Sequence, residues 1–157
     1  MASWQKLLVE DDDVVTRITL NRPDRRNALS AELMTELTEA LRAAEGRVVV
    51  IAAAGPAFSA GHDLGELQAA GPEDAERIFG VCTELMTTVQ SIDQPVIARV
   101  HGVATAAGCQ LVASCDLAVA EAGAPSPPPR PWPPPASATP AGPRSAGDGA
   151  GRGGWGG

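Results

Sequence analysis

Val48-Val49-Val50-Ile51-Ala52 is an apolar run without polar alternation, broken at Gly55-Pro56 and followed by Phe58-Ser59-Ala60-Gly61-His62-Asp63-Leu64. A run of that kind predicts a strand covered on both faces, as in a parallel sheet. The residues after it are too small to obstruct a ligand, and a short helix over 62–70 follows them. A second stretch repeats the plan. Pro95–Val100 reads as an apolar strand, His101-Gly102 as a loop, and Ala106–Ser114 as a helix of small residues, with a further strand starting at Leu117–Ala120.

Upstream, Leu7–Val9 and Val14–Leu20 read as strands joined by the acidic turn Glu10–Asp13, and Asn21-Arg22-Pro23-Asp24 stops the second. Ser30 is a good N-cap, with Leu29 and Met34 placed as a hydrophobic staple. Leu33, Leu37, Ala40, Leu41 and Ala44 keep helical spacing, and Gly46 suits the position after the helix end. Gly71-Pro72 opens a longer helix with an acidic first turn, its buried stripe being Ile78, Cys82, Leu85, Val89 and Ile92. Strands alternating with helices predict an α/β fold, a mainly parallel sheet flanked by helices.

The chain of 157 residues divides by composition near residue 121. Residues 1–121 hold every Ile, Leu, Val, Met and Phe, whereas 29 of the 36 residues in 122–157 are Pro, Gly, Ala or Arg. A segment with nothing apolar to bury cannot repay the entropy of ordering, so the expected division is a folded domain over 1–121 and a disordered tail over 122–157. Pro, Gly, Ala and most Arg codons begin with two G or C letters, which suggests a tail read out of frame or alternatively spliced. The Pro128-Pro129-Arg130-Pro131 segment also fits a polyproline ligand.

The first 121 residues carry 9 Lys and Arg against 18 Asp and Glu, which argues against a nucleic-acid partner. No hydrophobic run approaches membrane-spanning length, and the first 13 residues lack the pattern of a secretory or transit peptide, so the expected location is cytoplasmic. Cys82, Cys109 and Cys115 show no C-x-x-C spacing and read as buried free thiols, with no metal site expected.

Both small-residue stretches, 57–64 and 103–110, follow the carboxyl ends of strands, where open α/β sheets place their sites. Free N–H groups at two helix starts facing one point would stabilise an oxygen that becomes negative. The same Gly and Ala residues would equally serve close packing of helix on strand.

Asn21-Arg22-Pro23, Arg26-Asn27-Ala28-Leu29, Phe58 to Leu64, Ala98 to Gly108 and Ser114-Cys115-Asp116-Leu117-Ala118, in that order, resemble the crotonase superfamily, the enoyl-CoA hydratase/isomerase family. The resemblance covers residues 4–121 and implies a spiral of ββα units, incomplete at the C-terminus. It implies an acyl-CoA thioester as ligand, with coenzyme A part of the substrate and no permanently bound cofactor. It assigns the two oxyanion N–H groups to His62 and Ala107, acting through the backbone, and the coenzyme A path to Arg26, Ala28, Ala60, Asp63 and Leu64. Arg22, Arg25 or Arg26 would meet its phosphates.

The resemblance also implies trimers or hexamers in intact members, built through a C-terminal region that is expected to be missing here. Some relatives are mitochondrial, making the matrix the alternative location. The family's first catalytic carboxylate falls at Gln110 here, and the second falls near Arg130, in a tail without Glu. An amide holds a water but does not take its proton, and losing a positioned acid–base group costs about 10²–10⁴ in rate. The resemblance, with these departures, therefore implies acyl-CoA binding in fatty-acid metabolism with negligible hydratase activity. A non-catalytic acyl-CoA-binding or interaction module is the alternative. His62 and His101 remain as other bases, although loop and cap roles suit both.

Overall fold

Five strands form the main sheet in the order β1 (Leu7–Asp11), β2 (Val15–Leu20), β3 (Val48–Ala53), β5 (Val96–Val100) and β7 (Leu117–Ala120). The computed structural model describes residues 4–123, which lie within the first of two units, Met1–Pro127. β1 and β2 are antiparallel, and every later pairing is parallel. Asp12 sets the hairpin by accepting from the N–H groups of Val14 and Val15 at 2.8 Å each. The turn is thus one to two residues later than the sequence reading, because β1 extends through Asp11.

Helices α1 (Ala31–Arg42), α2 (Leu64–Ala69), α3 (Pro72–Ser91) and α4 (Ala107–Ser114) fill the crossovers. Ser30 caps α1 by accepting from Leu33 N at 3.2 Å, and both staple residues, Leu29 and Met34, are fully buried. Leu33, Leu37 and Leu41 from α1 and Ile78, Leu85 and Val89 from α3 join Ile18, Leu20, Val49 and Ile51 from the sheet in one core. Each large aliphatic side chain fully buried in this way contributes about 1.5–3 kcal/mol.

Three local expectations need correction. Gly46 does not end α1; that helix stops at Ala43, and Gly46 instead lets the chain pass β2, since a Cβ there would lie 2.5 Å from Thr16 N. β3 is covered unevenly: Val49, Ile51 and Ala52 are buried while Val48 and Val50 are half-buried, so full cover on both faces is reached only toward its carboxyl end. Residues read as loops contain a second, two-stranded parallel sheet, β4 (Ala57–Ser59) with β6 (Val103–Ala104). These strands are too short for a period-2 pattern to register.

Among the cysteines only Cys82 is buried. Cys109 is exposed because it sits on the outer face of α4. Cys115 is half-buried; burial first, and Asp116 second, push its thiol up to about 11, leaving little thiolate at neutral pH. All four residues of β7 are exposed, including Leu117 and Val119.

Candidate functional site

The small sheet brings the two sequence-predicted stretches side by side. β4 leads into Ala60-Gly61-His62, β6 leads into Thr105-Ala106-Ala107, and Thr105 N donates to Ser59 O at 3.0 Å. Gly61 has φ +90°, and a Cβ on it would sit 3.1 Å from Thr105 O and 3.5 Å from Ala107 N. The chain entering His62 and the amide of Ala107 are therefore near neighbours.

The environment of each amide follows from its own strand or helix. Leu29 N donates to Gly61 O at 2.8 Å, and Asp63 N donates to Leu29 O at 3.2 Å. In such a parallel bridge alternate residues bond and the one between faces away, which leaves His62 N without an acceptor among the described residues. Ala107 is the first residue of α4, where N–H groups have no partner within the helix. Gly108 N and Cys109 N turn back to Thr105 O, and Ala107 N has no acceptor among the described residues. His62 itself does not head a helix, contrary to the sequence reading: α2 begins at Leu64 with Asp63 as its cap, and the bridge to Leu29 holds His62 extended.

The turn that presents Ala107 is strained. Ala106 adopts φ 49°, ψ −122°, a region suited to glycine, at a cost of order 1–3 kcal/mol. Its side chain is exposed, so little packing offsets that cost. Ala106→Gly is expected to raise the melting temperature by a few degrees in calorimetry, after the entropy added to the unfolded chain is deducted.

Close packing supports the same geometry. Gly108 lies against Ser59, whose hydroxyl donates to Asn27 O at 2.9 Å and accepts from Gly61 N at 3.2 Å. Asn27, buried at φ 51°, ties the Arg26 loop to the end of β3 and to β4 through Ala54 O and Ala57 O. The sequence offered Asn27 only as part of a motif; its buried left-handed backbone, which Asn tolerates well, explains the residue type.

Arg26, Pro56, Ala57, Ala60, Val103 and Thr105 line a cavity of about 420 Å³ beside the small sheet. Arg26 is exposed and holds Ala60 N through its carbonyl at 3.0 Å, while Ala28 is buried behind it. Arg22 is turned inward: it donates to Ala28 O at 2.9 Å and to the Asp63 carboxylate at 3.1 Å. Burial works to raise the Asp63 pKa, but donors from Glu66 N, Arg22 and Gly65 N outweigh it and hold the carboxyl below its ordinary value. Leu64 is exposed at the start of α2. Of the three arginines, Arg25 and Arg26 stay outside, with Arg25 only loosely paired to Asp24 at 3.9 Å.

Gln110 is exposed on α4, three residues after Ala107 and on the same helix face. The Nε2 atom of His101 lies 2.6 Å from Gly55 O, away from the amide pair. Among the described residues no group of three or more His, Cys, Asp or Glu side chains is arranged to hold a metal ion.

Residues 10–125 match the model of the enoyl-CoA hydratase/isomerase family. The chain belongs to that family. Among curated family members, enoyl-CoA hydratase domain-containing protein 3, mitochondrial, of Danio rerio is 51% identical over 118 residues, covering 72% of this chain and 41% of that protein. The Homo sapiens protein of the same name is 44% identical over 113 residues, 69% of this chain and 37% of its own length. A solved enoyl-CoA hydratase from Mycobacterium smegmatis superposes with a TM-score of 0.71 at 51% identity, covering 74% of this chain and 48% of that one. The human domain-containing protein 3 structure gives 0.69 at 40% identity over 74% of this chain and 48% of its own. The chain thus spans less than half the length of these relatives, and the crotonase fold expected from its motifs holds over the part it shares. The expected second carboxylate position near Arg130 and the P-x-x-P segment lie outside the described residues.

Proposed function

We propose that this chain binds acyl-CoA thioesters through the backbone N–H groups of His62 and Ala107, with negligible hydratase activity of its own. The observation that carries this reading is the neighbouring pair of amides without acceptors. Free N–H groups aimed at one point are what a thioester carbonyl needs as its oxygen gains charge. Coenzyme A would run past Arg26, Ala28 and Ala60, beside the adjoining cavity, and past Asp63 and Leu64. Here Asp63 would act by holding α2 and Arg22 rather than by touching ligand. No permanent cofactor is required. Gln110 would position water without taking its proton. The names of the vertebrate relatives place them in mitochondria, which favours the matrix over the cytoplasm for this chain.

Calorimetry of the whole chain with butyryl-CoA is expected to give micromolar binding, and crotonyl-CoA hydration is expected to equal that of a Gln110→Ala control. Absence of thioester binding would sink the first half; hydration well above the control would sink the second. A purely regulatory acyl-CoA-binding module draws support from Gln110 alone. It would show the same binding with no turnover of any thioester.

A further inference from the structure

The C-terminal end of α1 packs differently from the rest of that helix. Leu33, Leu37 and Leu41 fill the core, but beside β1 the helix end presents only Ala40, Ala43 and Ala44. The space left there is a cavity of about 410 Å³, lined from the other side by Val9 of β1 and by Trp4. Trp4 is half-buried against the core and gives the cavity its one aromatic ring. Small-molecule sites occupy about 300–1,000 Å³, so the volume is sufficient for a ligand.

The charges around this cavity are of one sign. Asp11 and Glu45 line it, and no Lys or Arg does. Neighbouring cations are engaged elsewhere: Lys6 with Glu32 at 3.7 Å, Arg17 with Glu10 at 3.6 Å and Arg42 with Glu84 at 3.0 Å. Arg47, two residues beyond Glu45, is exposed and outside the lining. Neither Asp11 nor Glu45 joins an ion pair among the described residues. The Thr16 hydroxyl donates to one oxygen of Asp11 and steadies that carboxylate. The closing carbonyls of α1 add partial negative charge at the same end.

The lining selects a ligand class by exclusion. An anion meets two carboxylates. A neutral apolar molecule would displace their water without replacing it. A hydrated divalent ion gains nothing from an indole and alanines. An organic cation uses every part, its charge facing Asp11, Glu45 and the Trp4 ring, and its carbon body lying on Val9 and the alanines.

We infer that this cavity binds a free organic cation, an alkylated ammonium with a short apolar body. The site stands at the opposite end of α1 from the bridge between Leu29 and His62, roughly 18 Å away along a helix of 12 residues. It therefore holds or falls independently of the thioester reading.

The test is calorimetry of the full chain with choline and with 3,3-dimethylbutanol, its uncharged isostere. Choline is expected to bind with a Kd of about 1 mM or tighter, and the isostere at least about 10-fold more weakly. Trp4→Leu should weaken choline binding about 2–30-fold, and Glu45→Gln about 5-fold. Glu39→Gln removes an exposed acid of α1 that lies outside the cavity, and should leave the affinity within about 2-fold. Phosphatidylcholine vesicles, whose ammonium carries a phosphate beside it, should not sediment the chain. The inference is overturned if choline shows no saturable binding, if the isostere binds equally well, or if Glu39→Gln costs as much as Glu45→Gln. Sedimentation with the vesicles would equally overturn the assignment to a free cation. Should Trp4→Leu fail to melt cooperatively, Trp4→Phe, which keeps a weaker aromatic face, and Glu45→Gln carry the decision.

Discussion

Asn27→Ala is expected to lower the free energy of unfolding by about 3–5 kcal/mol, a large share of the roughly 5–15 kcal/mol that holds an ordinary domain folded. The Asn27 amide donates to Ala54 O at 2.8 Å and Ala57 O at 2.9 Å, and its oxygen accepts from Arg22 N at 2.8 Å. Truncation leaves those groups without their partner at a fully buried position. Each orphaned group costs about 1–3 kcal/mol, not additively. Alanine also tolerates the φ of 51° less well than asparagine. Urea denaturation with an unchanged m-value would report this loss. Asn27→Asp should cost nearly as much, since it keeps the acceptor and removes both donors. A loss below about 1 kcal/mol would mean that water replaces the amide, and the bridge between the Arg26 loop and β4 would then not depend on it.

Most of the sheet was legible in the sequence because its signals are local. The run Val48–Ala52, the Ser30 cap with its Leu29 and Met34 staple, and the Gly71-Pro72 helix start each declare an element within a few residues. What escaped depends on contacts between distant residues. Gly46 resembles a helix terminator, yet its role is set by the approach of Thr16 thirty residues away. β4 and β6 are defined by pairing with each other rather than by their own composition. At the site, the small residues at 60–61 and 106–108 marked where backbones meet. Composition alone did not separate an amide pair open to ligand from ordinary close packing. That distinction came from which N–H groups find acceptors: the bridge to Leu29 satisfies the residues on both sides of His62 and leaves its own amide free. The strain at Ala106 was also hidden, because alanine gives no warning of a backbone conformation suited to glycine.

Gly108→Ala carries the second large expected effect, and its sign separates helix propensity from packing. Alanine is favoured over glycine by about 1 kcal/mol inside a helix, so propensity alone predicts stabilisation. Packing predicts the reverse. A Cβ on Gly108 would lie 2.7 Å from both the Cβ and the carbonyl oxygen of Ser59. Ser59 is fully buried and cannot retreat, since its hydroxyl bonds Asn27 O and Gly61 N while its carbonyl receives Thr105 N. α4 must therefore lift from β4, carrying the amide of Ala107 with it. The expected result is a net loss of about 1–3 kcal/mol in stability. Butyryl-CoA binding should also weaken, by about 10-fold or more, because displacements near 1 Å are costly where geometry is fixed. Gly80→Ala in α3 is the matched control, having no atom within 4 Å of the added methyl. It should stabilise the protein by up to about 1 kcal/mol and leave binding unchanged. If both substitutions stabilise, α4 is not pressed against Ser59 and the Ala107 amide is not held where the thioester reading requires it.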